Sequence, residues 1–470
     1  VFAALAATVF RPPSTHGPLA RDFEAYYAAG ATWNAGRDPW SRDVWLVERT
    51  IRGVDASHDE LLPFVGPAAS LPLWSLLARL PFEAAEGVWL TVLVVAVVTL
   101  VVAALAVAGV TLTGPTVFAA LLFSAVTGPV ISAVTLGQVA LLAAAAVALA
   151  FLAFERRSPW AVAAAFGAAI QPNLALPLAV RLTDRRSAAY LIAALLAFLV
   201  LTLSLGGPAG LAEYVRRLAV HGAVERFIVI QFSVPAVAAS FGLSARNAVL
   251  AGEGFALLGL GAALAGALAL RSRPALAAAF AIALLPLTVP FFHEHDFAIE
   301  LIPVIVLVAA GDARVRVLTG VAAVCVLIDW LGLAQRPAGV PQTICLALAL
   351  ACAFAALPGP GLQPRQSPRA PALATLAAAV GLLLLAVPLA MHFPAPVWPD
   401  TLGPFHATAT MDASDVWGAE QQRAGLGAQV PAWGVLRAIP LAGCVLLAVA
   451  AAYAMTIRPA RTANGTALSD

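Results

Sequence analysis

Residues 87–110 read GVWLTVLVVAVVTLVVAALAVAGV, a run without one charged side chain. Crossing about 30 Å of hydrocarbon takes about 20 consecutive apolar residues in helical form, and this stretch meets that need. Working outward, further apolar runs bounded by Arg, Pro or Gly lie at 1–10, 116–134, 138–154, 188–206, 247–270, 275–291, 297–310, 315–333, 342–357, 371–391 and 436–456. The chain of 470 residues is 61% hydrophobic and 11% charged, where a soluble domain carries about 25% charged residues. The expectation is an all-α integral membrane protein of about twelve transmembrane helices with no soluble module.

All 27 basic residues are arginine, and alanine is abundant, a composition that suggests a GC-rich bacterial genome. A net charge of +2 says nothing about partners, and no basic patch of the kind that binds nucleic acid is present. Cys325, Cys345, Cys352 and Cys444 all lie in apolar runs with no CxxC pair, so they read as packing residues. The opening VFAALAATVF reads as the end of a helix that starts upstream.

One stretch resists simple counting, PWAVAAAFGAAIQPNLALPLAV at 159–180. Arg156 and Arg157 precede it, and Arg181, Arg185 and Arg186 follow it. If Gln171-Pro172-Asn173 breaks it into a returning hairpin, both clusters face the cytoplasm. Arg271/Arg273, Arg314/Arg316, Arg365/Arg369 and Arg458/Arg461 then join them. The excess of Arg on cytoplasmic loops favours that arrangement, with the break buried in protein or lining a wet cavity. The segments 11–86, 207–246 and 392–435 then face outward and hold most of the acids and histidines. No internal repeat of the inverted-topology kind is found. The chain divides into a membrane module, 1–310, with its first outward loop at 11–86, and additional helices at 311–470 with an outward loop at 392–435.

Chemistry concentrates in two places. The first reads RDFEAYYAAGATWNAGRDPWSRDVW from Arg21. Its Tyr26, Tyr27, Trp33, Trp40 and Trp45 suit an interfacial helix with aromatics at headgroup level. Asp22 suits that reading less well; a carboxylate just after a membrane helix can act as a general base. Downstream, Pro63, Pro67, Pro72 and Pro81 rule out a straight span and imply a short broken helix near the surface, with Gly66-Pro67 as a turn. The second place is FFHEHDFAIELIP at 291–303, where His293, His295, Asp296 and Glu300 stand between two spans. Ionisable residues at such depth are functional candidates. His-x-His also resembles metal-ligand spacing, but no third cluster accompanies it, and a polar turn without chemistry is the plainer alternative. Gln138, Gln171, Asn173, Gln231 and Ser233 are smaller candidates that can equally be helix-packing groups. No GxSxG, P-loop, HExxH or dinucleotide fingerprint is present.

The order of these pieces carries more than any one of them. Asp22-Phe23 is followed by Tyr26-Tyr27, Ala29, Gly36 and Asp38-Pro39-Trp40, then Phe64, Gly66-Pro67, Pro72, Leu80-Pro81 and Trp89. Gly137-Gln138, Gln171-Pro172 and the turn from His293 to Asp296 complete the series. The set resembles the GT-C fold glycosyltransferases that use polyprenol-phosphate sugars, specifically glycosyltransferase family 87, the bacterial α-mannosyltransferase-like group. The likeness runs from about Arg21 to Pro303. Two positions depart from it: Gln171-Pro172 stands where the family usually has Lys-Pro, and an Asn-Gln-Ser element is reduced to Gln231-Phe232-Ser233.

The resemblance implies transfer of a sugar, mannose first, from a polyprenyl-phosphate donor to a hydroxyl of a lipid-linked or glycan acceptor. It implies an outward-facing site in the bacterial inner membrane, inversion at the anomeric carbon, and no metal or cofactor. Asp22 is the implied general base. His293 and His295, with Arg216 or Arg217, are candidates for the departing phosphate, and Tyr26, Tyr27, Gln138, Gln171 and Asn173 for substrate contacts. The competing readings are a transporter or lipid flippase built on the broken 159–180 segment, and a non-catalytic envelope scaffold.

Overall fold

The computed structural model describes residues 20–51, 62–331, 408, 411–427 and 429–456. Among them no strand occurs and the elements are helices throughout. Four helices are long and apolar enough to cross a membrane: Phe82–Val107, Arg185–Glu225, Ala245–Ala269 and the Pro431–Ala454 part of a helix that runs to Thr456. A fifth is reached if Gly114–Ala125 and Gly128–Leu136 are counted as one bent span. The expected spans at 1–10, 342–357 and 371–391 lie outside the described residues, so about twelve is not reached among the described ones.

In chain order, α1 (Phe23–Asn34) and α2 (Val44–Glu48) form the first polar stretch. A 3-10 turn at Ala68–Ser70 leads into α3 (Leu71–Leu77), and α4 (Phe82–Val107) starts directly after Pro81. The prolines thus act as expected, each sitting where a missing N–H costs nothing. Gly66-Pro67 differs from expectation: it is extended, not a turn, and Gly66 O accepts from Trp40 Nε1 at 3.0 Å. Trp40 and Trp45 are buried, not spread at an interface. They are drawn inward because the aromatic cluster of Phe64, Trp74 and Trp89 offers apolar surface that water does not.

The span expected at 116–134 is also different. It breaks between α5 (Gly114–Ala125) and α6 (Gly128–Leu136) with a 70° bend. Pro129 near the start of α6 cannot continue the hydrogen-bond ladder of α5. Gly137 closes α6 in the left-handed conformation, φ 74°, which only glycine adopts without strain. Helix α7 (Ala140–Glu155) follows, buried on nearly every side and packed against α4. A helix apolar all round belongs at the centre of a bundle.

The 159–180 segment turns back. Helix α8 (Trp160–Ala168) packs along α7 and stops at Gln171, where α9 (Pro172–Ala175) and a 3-10 stretch (Leu176–Thr183) return. Its two ends meet: Tyr190 Oη donates to Arg157 O at 3.3 Å, and the Arg181 guanidinium lies 5.7 Å from the centre of the Phe154 ring. The cationic clusters before and after the segment therefore share one end of the bundle.

Helix α10 (Arg185–Glu225) is broken at Gly207, φ 64°, just before Pro208. The segment at 207–246, expected to face outward, is largely helical, continuing through α11 (Val234–Ser240). The remaining elements are α12 (Ala245–Ala269), α13 (Pro274–Thr288), a 3-10 turn (Glu294–Glu300), α14 (Leu301–Ala310), α15 (Ala313–Val326), α16 (Ala413–Arg423) and α17 (Pro431–Thr456). Helix α17 packs against α13 and α15, while α16 lies on α10.

Candidate active site

Asp22 caps α1, and its backbone N–H donates to Leu136 O at 2.8 Å. That bond ties the start of α1 to the junction of α6 and α7. The junction is close-packed: a Cβ on Gly137 would come 2.8 Å from Ala20 Cβ and 3.0 Å from Phe23 Cβ. Trp89 Nε1 donates to Gly137 O at 2.7 Å from the α4 side. With the backbone fixed, Gln138 faces Asp22, and its Nε2 donates to Asp22 Oδ2. Tyr26 Oη donates to Gln138 Oε1 at 3.0 Å, which settles which end of the amide faces the carboxylate. Burial, with Asp22 and Asp296 nearby, pushes the Tyr26 phenol well above its usual range. It therefore stays a neutral donor in this chain. Tyr26 in turn stacks on Trp74 with ring centres 4.7 Å apart.

Opposite lies the His293 turn. Asp296 Oδ2 accepts from the His293 backbone N at 2.9 Å, closing the start of the 3-10 turn. Asp296 Oδ1 accepts from Gln171 Nε2 at 2.6 Å, so the tip of the turned-back segment reaches this site. Asp296 is fully buried. Burial raises its carboxyl above the usual aspartate range even with His293 and Gln171 beside it. His295 is pushed well below the ordinary histidine value, by burial first and then by His293. It is a neutral imidazole at physiological pH. For His293 burial also works against charge, but Glu225, Asp296 and Asp22 outweigh it, and the ring titrates above the ordinary value.

Gln231 joins this turn to α10. Its Oε1 accepts from Phe292 N at 3.0 Å and its Nε2 donates to Glu225 Oε2 at 3.0 Å. The same Nε2 is 2.9 Å from His293 Nε2. Glu225 Oε2 is 3.3 Å from His293 Nε2, and Glu225 Oε1 is 3.5 Å from His221 Nε2. Trp417 Nε1, from α16, donates to Glu225 Oε1.

The sequence candidates therefore divide. Asp22, Tyr26, Gln138, Gln171, His293, His295 and Asp296 come together. Tyr27 turns aside, its Oη donating to Leu80 O at 2.9 Å and its ring packing on Phe82. Asn173 is half-exposed on α9, beyond the Gln171 break. Arg216 and Arg217 both bind Glu213, and Arg217 also binds Asp412. Sequence reasoning passes over His221 and Glu225 and gives Trp417 no role in the site. The spacing Arg217, His221, Glu225 is i, i+4, i+8, one face of a helix, a signal that becomes readable once 207–225 is treated as helical.

His293, His295 and Asp296 each offer a ligand atom within 4.8 Å of the others, a grouping able to hold a metal ion. Both Asp296 oxygens already accept hydrogen bonds here, from His293 N and Gln171. The arrangement as it stands is a carboxylate oriented by an amide on one side and an imidazole set among carboxylates on the other. It can take a proton at Asp22 and present charge or N–H groups to an anion at His293 and His295.

An all-helical bundle with several apolar helices long enough to cross a membrane marks a membrane protein, and this polar cluster is its candidate site. The model described as "Glycosyltransferase family 87" matches residues 64–290. Those residues are a glycosyltransferase family 87 domain, and the protein is a glycosyltransferase, as its sequence resemblance implies. The match takes in Gln138, Gln171, Glu225 and Gln231, while Asp22 lies well before its start and the His293 turn just after its end. No curated protein and no solved structure matches the chain.

Proposed function

We propose that the protein transfers a sugar, mannose in the first instance, from a polyprenyl-phosphate donor to a hydroxyl of a lipid-linked or glycan acceptor. The site faces outward from a bacterial inner membrane, as the distribution of arginines supports, and the apolar runs give the bundle about twelve spans. Asp22 takes the acceptor's proton as the oxygen attacks the anomeric carbon. The bond from that carbon to the phosphate oxygen breaks on the opposite face, so configuration inverts and polyprenyl phosphate leaves. The observation that carries this reading is the contact of Gln138 with Asp22, which holds the carboxylate in the same cluster as the His293 turn.

A hydroxyl is a poor nucleophile, and a positioned base supplies about 10²–10⁴-fold. The departing phosphate needs positive charge or N–H donors. His293 supplies the charge and neutral His295 an N–H. Arg216 and Arg217, engaged with Glu213 and Asp412, would serve the phosphate only by exchanging those partners for it. Tyr26, Gln138 and Gln171 line the approach, Asn173 stays beyond it on α9, and Tyr27 supports α1 from behind.

The test is sugar transfer by the purified protein in lipid, given radiolabelled polyprenyl-phosphate mannose and a native lipid extract, with Asp22→Asn alongside. Labelled product from the wild type and none from Asp22→Asn supports the reading. Equal product from both removes Asp22 as the base. Product only with arabinose or glucose donors keeps the class and replaces the sugar.

A further inference from the structure

Two residues one turn apart on α4 reach the two stretches of chain that carry Asp22 and Gln138. Glu86 Oε1 accepts from the Ala20 backbone N–H at 2.8 Å, two residues before Asp22. Trp89 Nε1 donates to Gly137 O at 2.7 Å, one residue before Gln138. Residues three apart on a helix share a face, and α4 is helical through both. Glu86 is 6% exposed and Trp89 fully buried, so both bonds are shielded from water.

These ties close a ring. Ala20 precedes the helix, so its N–H has no intrahelical acceptor; Glu86 supplies one. From Ala20 the chain passes to Asp22, whose own N–H donates to Leu136 O at 2.8 Å. Leu136 ends α6, Gly137 follows it, and the Gly137 carbonyl returns the ring to Trp89. The Trp89 ring also stacks on Phe23, the residue after Asp22, with centres 5.9 Å apart and planes inclined by 15°. One side chain of α4 thus touches both stretches, its N–H on one and its ring on the other.

Helix α4 is itself well held. The face that bears Glu86 and Trp89 continues through Leu93 and Leu100, both fully buried, and packs along α7. Groups held by a packed helix keep their geometry better than groups held by loops. The segment ahead of α1 gains its placement from this 26-residue element.

We propose that Glu86 and Trp89 are positioning residues that set the distance between Asp22 and Gln138, Glu86 from the carboxylate's side and Trp89 from the amide's. The proposal rests on Asp22 being the base, as argued above. A general base must lie within hydrogen-bond reach of the proton it takes, and a misplacement of about 1 Å costs about 10²-fold. Both residues act through the backbone that bears the pair.

Transfer kinetics and amide exchange on the full chain in lipid test the clamp. Glu86→Leu removes the acceptor, and kcat falls by about 10–10²-fold while KM for the donor stays near the wild-type value. Glu86→Gln, which retains an acceptor oxygen, recovers most of that loss. Trp89→Phe keeps a ring against Phe23 and removes the N–H, lowering kcat roughly fivefold, the effect of one neutral hydrogen bond. In a Gln138→Leu background Glu86→Leu adds little, because residues that act through one contact are not additive. Hydrogen exchange of the Ala20 and Asp22 amides reads the clamp without turnover and quickens in Glu86→Leu. A kcat loss that multiplies in full on Gln138→Leu overturns the proposal. So does a Glu86→Leu protein with wild-type exchange and kcat, and either result leaves the transferase reading intact. Where Glu86→Leu fails to fold, Trp89→Phe decides, and wild-type kcat in it overturns the clamp. Faster exchange in Glu86→Leu beside a wild type that transfers no sugar from any donor removes the transferase reading, and the clamp's role in catalysis with it.

Discussion

Gln171 Nε2 donates to Asp296 Oδ1 at 2.6 Å, joining the tip of the turned-back segment to the His293 turn. The bond links two features that are far apart in sequence, and it involves a fully buried carboxyl group. A hydrogen bond to a charged group is worth about 1.5–3 kcal/mol, which is about 10–100-fold in a rate or binding constant. Gln171→Leu is therefore expected to lower kcat/KM for transfer by that range without loss of folded protein. Gln171→Lys, which places the residue usual in the resembling family, pairs an ammonium with Asp296 and retains activity. Transfer assays on both variants check this; equal loss in the two would show that the glutamine amide itself is required.

The chain from Tyr26 through Gln138 to Asp22 predicts an order of effects. Asp22→Asn removes the base and costs about 10²–10⁴-fold in kcat. Tyr26→Phe removes only one neutral bond, worth about 1 kcal/mol, and so costs roughly fivefold. Gln138→Leu falls between them, because it keeps the Asp22 carboxyl but removes its bond to the Gln138 amide. Single-turnover rates at saturating donor rank the three. A Tyr26→Phe loss as large as that of Asp22→Asn would give the phenol a direct chemical role.

Much of the site is legible in the sequence. Asp22, Gln138, Gln171 and His293 stand out as an ordered series, and each lies at a helix end or break, marked by Gly137 before Gln138 and by Pro172 after Gln171. The turned-back segment follows from the arginines at its two ends, which need one common side. What the sequence hides has a physical pattern. Helix α10 runs past Gly207-Pro208, where a helix would be expected to end, so the shared face of Arg217, His221 and Glu225 goes unread. The bend between α5 and α6 escapes notice because an unbroken apolar run conceals a single Gly128-Pro129. Trp40 and Trp45 read as interfacial since periodicity cannot tell a headgroup aromatic from one packed in a cluster. Trp417 is beyond reach, because only three-dimensional contact relates it to Glu225.

Glu48 predicts a pH dependence of stability separate from the chemistry. It ends α2, is fully buried, and has Glu24 and Glu420 as acidic neighbours. Burial first and Glu24 second hold its carboxyl well above the usual glutamate range, although a backbone bond from Leu62 and the charge of Arg49 oppose them. A carboxyl with a raised folded-state pKa favours the fold at pH below its unfolded value, and that contribution is lost as pH rises through the folded value. The protein should therefore melt progressively earlier as pH rises above the ordinary glutamate range. Glu48→Gln removes the titration and should flatten that slope, with the gain largest at the alkaline end. Melting temperatures of both proteins across the range check it; parallel slopes would assign the loss to another group.

Arg437 allows packing and charge to be separated. It is fully buried in α17, and its guanidinium donates to Trp433 O at 3.3 Å, to Ile228 O at 3.2 Å and to Ser240 Oγ, oxygens without formal charge. The Ile228 carbonyl also accepts from Gln231 N at 3.0 Å, so the turn that presents Gln231 is pinned from α17. Arg437→Ala empties a large buried volume and should cost about 2–5 kcal/mol, as large-to-small core changes do. Arg437→Met refills most of that volume, and exchanging a buried charge for an apolar chain of similar size is often neutral or stabilising. Arg437→Met is therefore expected to melt near the wild-type temperature yet to transfer sugar several-fold more slowly, since Gln231 loses its anchor. Thermal unfolding in detergent and transfer assays on the same preparations separate the two effects. Early melting of Arg437→Met, as severe as that of Arg437→Ala, would mean that the three hydrogen bonds, and not the filled volume, hold α17 against the turn.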